Sequence, residues 1–237
     1  MRGVIFDLFH TLTGPYSVAK GWPTTNEVLG IDPTRWNAAI AKDSRARLTG
    51  ALRDPAEIVR SVAHRLDPNI PLELITRAAD ARIALAQRVL QAIPNPSIET
   101  LNSLRSHGLK LGLISNLDCC ECVGWTSSPL RGLFDVELFS CEVGMAKPEP
   151  GIYRECLTRL GLSAAECMYV GDGGGNELGG AREVGLFTVL FTGVIQDLWP
   201  ERIPSLAQSA DARVDSMPDM LALAGVKASA SPKSALP

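Results

Sequence analysis

One stretch near the N-terminus limits the fold more than any other. Gly3-Val4-Ile5-Phe6 carries no polar side chain and stops abruptly at Asp7. A short apolar run closed by a polar residue fits a strand covered on both faces, as in a parallel sheet. A carboxylate at the C-terminal end of such a strand lies where open α/β sheets bind ligands. Alone, a strand-end Asp is more often a turn former without chemistry, so the meaning of Asp7 depends on the downstream chain.

The downstream chain is first helical and then alternating. Asp54-Pro55-Ala56-Glu57 is a helix start, with Asp as N-cap, Pro at N1 and Glu at N3. Ile58, Val59, Val62, Ala63 and Leu66 then recur at helical spacing. A helix is expected over 33–47, with Trp36, Ala39 and Ile40 inward, and another over 71–90. No strand pattern interrupts residues 15–92. Beyond Pro94-Asn95-Pro96 the signals change. Strands are expected at 111–114, 136–139, 168–170, 187–190 and 212–214, with helices between them and a last helix near 218–223. That alternation predicts an α/β fold, a parallel sheet with helices on both faces. The division expected is a core of 1–14 and 93–226, a small all-helical module over 15–92, and a disordered Ala/Ser/Pro/Lys-rich tail at 227–237.

Several expected strand ends and helix starts carry polar residues. The strand at 111–114 ends in Ser115-Asn116. Ala146-Lys147-Pro148 precedes a helix. Val170-Gly171-Asp172 ends another strand, followed by three glycines, Asn176-Glu177 and Gly180-Ala181. Singly these are weak signals: Ser forms turns and Lys is usually solvated. A glycine-rich dinucleotide loop fails on spacing, because Asn176 stands where the third glycine belongs.

Taken in order, Asp7-Leu8-Phe9-His10-Thr11, Ser115, Lys147-Pro148 and Gly171-Asp172 with Glu177 resemble the four motifs of the haloacid dehalogenase-like superfamily. The resemblance covers roughly residues 1 to 225. It implies a Rossmann-like three-layer sandwich with a helical cap inserted after the first motif. It implies that Asp7 is a nucleophile forming a covalent aspartyl intermediate, with Ser115 and Lys147 as its catalytic partners. Thr11, Ser115, Asn116 and Lys147 would bind a phosphate. A Mg²⁺ would be held by Asp7, the backbone carbonyl of Phe9, Asp172 and, through a water, Glu177.

The chain departs from the pattern at Phe9. Phosphatases of this superfamily carry a second Asp there, which protonates the leaving oxygen; such acid catalysis is worth roughly 10²–10⁴-fold. Dehalogenases carry an aromatic there but lack the acidic metal ligand that this chain keeps as Asp172. Three readings therefore remain: Mg²⁺-dependent hydrolysis of a small phosphorylated metabolite, dehalogenase-like attack on carbon, or a binding or regulatory descendant. On an extended strand, Phe9 would share a face with Asp7.

Composition narrows the partners. The net charge is −3, without a Lys/Arg block, which argues against nucleic acid. No apolar run is long enough for a membrane span, and no charged-then-apolar leader precedes the first strand. Six cysteines without framework spacing, three of them Cys119, Cys120 and Cys122, read as reduced thiols of a cytoplasmic protein. The partner expected is a small-molecule substrate, bound by a monomer or a homodimer. Trp22, Arg45 and Arg47 are the candidate cap contacts to it.

Overall fold

The computed structural model of the protein describes residues 1–15 and 19–226; the tail expected to be disordered, 227–237, lies outside the described residues. Six parallel strands form one sheet in the order β3-β2-β1-β4-β5-β6. They are β1 (Gly3–Phe6), β2 (Lys110–Ser115), β3 (Val136–Phe139), β4 (Cys167–Gly171), β5 (Phe187–Phe191) and β6 (Ala212–Val214). Strand β1 lies between β2 and β4, with Phe6 opposite Leu113 on one side and Val170 on the other. The chain winds from β1 to β2 and β3 in one direction and to β4, β5 and β6 in the other. The strand order thus reverses at β1, and Asp7 stands at the mouth of that crevice.

Both faces of the sheet are covered, which is why β1 reads as an uninterrupted apolar run. Side chains alternate along it. Val4 and Phe6 join Leu111, Leu113, Met168 and Val170 in a cluster with Leu101 and Leu104, which come from Asn95–Ser106. Ile5 joins Ile114, Tyr169, Tyr153 and Leu178 in a cluster on the opposite face. A third cluster, Leu29, Trp36, Val59, Val62, Ala63, Ile75 and Ala78 among others, belongs wholly to residues 19–92.

In chain order the helices up to the second strand are α1 (Thr25–Leu29), α2 (Pro33–Ala41), α3 (Arg45–Leu48), α4 (Pro55–Leu66), α5 (Leu72–Gln91) and α6 (Asn95–Ser106). Among the described residues of 15–92 there is no strand. Helix α4 starts as its sequence predicts, with the Asp54 carboxylate accepting from the Glu57 N–H. The single helix expected over 33–47 is instead two. Helix α2 stops at Ala41, and Asp43 takes the left-handed conformation with φ 54°. Asp tolerates that conformation better than most residues, and it turns the chain into α3.

This turn brings Arg47 to the sheet's C-terminal edge. Beyond β2 lies α7 (Cys119–Cys122), capped by Asp118, and beyond β3 lies α8 (Ser140–Val143). Asp118 is fully buried, and its carboxylate accepts from Arg47 at 3.1 Å and from Arg82 of α5 at 2.7 Å. Arg82 also reaches Glu121 at 2.8 Å. Arg53 donates to the Cys141 carbonyl at 2.9 Å. Burial alone would push the Asp118 carboxyl up, but Arg82 and Arg47 outweigh it and hold it below the usual carboxylate range. The helical segment is thus tied to the loops after β2 and β3 by arginines.

Arg82→Met keeps most of the packing but removes one of the two guanidiniums on Asp118, and with it the one on Glu121. Breaking a buried pair from one side costs about 3 kcal/mol, to be read as a lowered denaturation midpoint at neutral pH. Because the folded Asp118 value is depressed, its contribution is fully present above the ordinary value of 3.8 and is lost as pH falls through the lower folded value. The gap between wild type and variant should therefore close in acid, and an equal gap at all pH values would contradict this assignment.

Candidate active site

Helix α9 (Pro150–Leu160) follows β3, and α10 (Glu177–Glu183) follows β4. Lys147 precedes α9, while Glu177 opens α10 after the glycine-rich turn that leaves β4. These segments converge on Asp7. Lys147 is buried, and its ammonium donates to Asp7 Oδ1 at 2.5 Å, to Glu177 Oε2 at 2.6 Å and to the Tyr169 hydroxyl at 2.9 Å. An ammonium has three donors, and all three are used here. Tyr169 in turn donates to Glu177 Oε2 at 2.7 Å, and the Gly173 N–H donates to Glu177 Oε1 at 3.0 Å.

Two glycines permit this packing. A Cβ on Gly171 would stand 2.1 Å from Glu177 Oε1, and one on Gly180 would stand 2.3 Å from the Pro148 carbonyl oxygen. The first glycine lets Glu177 fold back along β4. The second lets α10 lie against the segment that carries Lys147.

The remaining acids complete the cluster. Asp7 Oδ2 accepts from the Thr11 hydroxyl at 3.0 Å. Asp172 Oδ1 accepts from the Gly174 N–H at 2.8 Å, and Oδ2 lies 3.5 Å from His10 Nδ1. Oxygens of Asp7, Asp172 and Glu177 lie within 4.8 Å of one another. One ammonium thus faces three carboxyls in a nearly dry space.

Burial pushes the Asp7 carboxyl up; Lys147 opposes this and Asp172 adds to it. Burial likewise pushes Glu177 up to about 8, with Lys147 opposing and Asp7 and Asp172 adding. Burial works against charge on Lys147, yet Asp7 and Glu177 outweigh it and hold the ammonium above the ordinary lysine range. Asp172 resists its own burial through His10 and the Gly174 N–H and stays low. The cluster is rich in oxygen donors and short of positive charge, which is the donor set a hard divalent cation takes.

The sequence-derived site residues fall into two groups. Asp7, Thr11, Lys147, Asp172 and Glu177 stand together around the ammonium. Ser115 is buried at the end of β2, the strand beside β1. Asn116 turns elsewhere: its side-chain amide donates to the Lys147 carbonyl and accepts from the Lys147 N–H, both at 2.8 Å. It clamps the backbone of Lys147 rather than presenting its amide to a ligand. Phe9 does not share the face of Asp7. The chain turns after Leu8, whose carbonyl accepts from the Leu12 and Thr13 N–H groups, and Phe9 packs against the cluster that contains Phe6.

The helical candidates also diverge. Arg45 pairs with Glu149 and Arg47 with Asp118, so the two do not form a joint anion clamp. Trp22 is 47% exposed and lines a cavity beside His10. Sequence reasoning missed Tyr169 and Tyr153. The only available signal was a hydroxyl inside an otherwise apolar strand or helix face, which must find a partner when buried. Tyr153 finds the Glu177 carbonyl at 2.8 Å.

Known proteins share both the motifs and the fold. A family model described as haloacid dehalogenase-like hydrolase matches residues 1–185. A glyceraldehyde 3-phosphate phosphatase of Methanocaldococcus jannaschii is 33% identical over 136 residues, covering 56% of this chain and 57% of that protein. Haloacid dehalogenase-like hydrolase domain-containing protein 3 of Mus musculus is 35% identical over 116 residues, 46% of each. The chain thus spans about half the length of these curated relatives. Among solved structures, an L-2-haloacid dehalogenase from Xanthobacter autotrophicus aligns with TM-score 0.63 and 20% identity, over 94% of this chain and 98% of that one. A HAD phosphatase from Thermococcus onnurineus aligns with TM-score 0.62 and 21% identity, over 96% and 99%. At those identities the structural likenesses establish the fold alone.

Lys147→Met keeps the stem but removes the ammonium, leaving Asp7 and Glu177 buried and facing each other. Stranding buried charges costs about 3–5 kcal/mol, measurable as a fall in the urea midpoint. An unchanged midpoint would mean that the ammonium does not hold this cluster together.

Proposed function

This chain belongs to the haloacid dehalogenase-like hydrolase family, and on that premise we propose that it hydrolyses a small phosphate monoester through a covalent intermediate on Asp7. The observation that carries the reading is the cluster of Asp7, Asp172 and Glu177 around Lys147. A site for attack on a neutral carbon has no use for a third acid at Asp172. A site for a phosphoryl group does, because the acids can hold a divalent cation. The similarity to glyceraldehyde 3-phosphate phosphatases supports the same reading.

The donor set fits Mg²⁺, with Asp7, Asp172 and the Phe9 backbone carbonyl as the residues that would hold it and Glu177 acting through a water. Bound there, the ion supplies charge neutralisation for the phosphoryl oxygens. The chain's own residues do the rest. Asp7 attacks phosphorus, with one carboxylate oxygen oriented by Thr11 and the other by Lys147. Lys147 offsets the repulsion between this carboxylate and an anionic substrate and stabilises the charge that develops in transfer. Glu177 and Tyr169 fix the ammonium, and Asn116 fixes its backbone. Ser115 is assigned to the transferring oxygens. The described helices of 19–92 act as a cap over the strand ends, tied down by the arginine contacts to Asp118.

Phe9 favours the second reading, attack on carbon with departure of a halide that needs no proton. Under either reading the protein takes a small-molecule substrate, as a monomer or homodimer, in a cytoplasmic setting. Six free cysteines support a reducing compartment, and no described helix is long and apolar enough to cross a membrane.

Asp7→Asn should lower phosphate release by at least about 10³-fold, the scale on which loss of a nucleophile is felt. A chelator should stop wild-type turnover, and added Mg²⁺ should restore it. Steady-state release of phosphate from phosphate esters and of halide from 2-halo acids, each with and without chelator, checks both points. Halide release that ignores the chelator, with no phosphate release, would move the assignment to the second reading.

A further inference from the structure

The position two residues beyond Asp7 offers no proton. Phe9 is packed into the apolar cluster with Phe6 and has no acid to give a departing oxygen. An alkoxide leaves poorly without that proton, whereas an aryloxide, far less basic, leaves well. Beside the same end of the sheet lies a cavity of 960 Å³ lined in part by His10, whose Nδ1 is 3.5 Å from Asp172. That volume is at the upper end of small-molecule sites, roughly 300–1,000 Å³. It is far more than a triose requires.

The lining of this cavity mixes aromatic rings with polar and charged side chains, among them Lys20, Glu27, Arg82 and Arg202. Three of the four tryptophans in the chain, Trp22, Trp36 and Trp199, border it. Trp22 is 47% exposed and lines the cavity, so its ring is available to stack against a second ring. Trp199 meets the His10 ring edge-on at 5.3 Å, and the Arg202 guanidinium lies 5.7 Å from the centre of its ring. Arg82 lines the same cavity, and its buried Nε has no hydrogen-bond partner among the described residues.

These observations, resting on the phosphatase reading above, name its substrate class. We propose that the substrate is an aryl phosphate monoester whose ring lies in the cavity bordered by Trp22 and Trp199. In the first step an Asp7 oxygen bonds to phosphorus while the bond from phosphorus to the aryl oxygen breaks. The electron pair leaves on the aryloxide, which takes its proton from solvent. In the second step water attacks the same phosphorus and loses a proton to solvent. Phosphate is released, and the Asp7 carboxylate returns. No acid is required at Phe9.

The test is kcat/KM of the full chain with Mg²⁺ for naphthyl phosphate, phenyl phosphate and glyceraldehyde 3-phosphate. Both aryloxides are similarly weak bases, so their comparison reads the cavity, while phenyl against triose reads the leaving group. Naphthyl should exceed phenyl by about 10-fold, the scale of a ring stacked on an aromatic side chain. Phenyl should exceed glyceraldehyde 3-phosphate by about 10²-fold or more, the scale of a missing acid. Trp22→Ala, at an exposed position, should raise KM for naphthyl phosphate about 10-fold and erase its advantage over phenyl; Trp22→Phe should restore most of it. If glyceraldehyde 3-phosphate is turned over as well as naphthyl phosphate, or Trp22→Ala leaves the naphthyl-to-phenyl ratio unchanged, the aryl assignment is overturned while the phosphatase stands. No phosphate from any ester overturns both.

Discussion

The buried ammonium of Lys147 is the constraint on which the rest of the site depends. A buried charge is tolerated only when paired and fully hydrogen-bonded. Lys147 meets that demand with Asp7, Glu177 and Tyr169. Those partners come from the end of β1, the middle of β4 and the start of α10, so one side chain fixes the spacing of three elements. The pairing is not a large net source of stability, because desolvation offsets most of the attraction. What it secures is geometry: Asp7 is held with one oxygen on Lys147 and the other on Thr11.

Topology explains why that geometry sits at a crevice. The strand order reverses at β1, so the loops after β1 and β4 part there, and the acids that follow both strands stand at the gap. The glycine-rich turn after β4 then lets Glu177 fold back against the strand that carries Tyr169. The helices of 19–92 reach the same edge through Arg47 and Arg82, which share one carboxylate on Asp118. That junction couples the helical segment to the loop after β2, within a few residues of Ser115.

The parallel α/β sheet was legible in the sequence because each strand is a short apolar run with a helix pattern after it. The grouping of Asp7, Lys147, Asp172 and Glu177 was legible through the resemblance of their motifs taken in order, each standing where such a run ends or a helix starts. The features that stayed hidden did so for physical reasons. Tyr169 hides in a strand buried on both faces, where its hydroxyl leaves no periodic signal. Asp118 and Arg82 find each other across 36 residues, a pairing that spacing cannot foretell. The break at Lys42, which is extended, and Asp43, which is left-handed, replaces one expected helix by two, and no Gly or Pro in the sequence marks it. Asn116 and Phe9 were placed by strand logic just beyond the point where the strand stops.

The proposed mechanism requires Asp7 to carry the transferred group. The most direct measurement is a rapid acid quench of the wild-type protein during turnover of a phosphate ester, with mass spectrometry of the peptide that contains residues 3 to 13. A phosphoryl group located on Asp7, present during turnover and gone once substrate is exhausted, is the predicted result. Steady phosphate release with Asp7 unmodified at every quench time would contradict it.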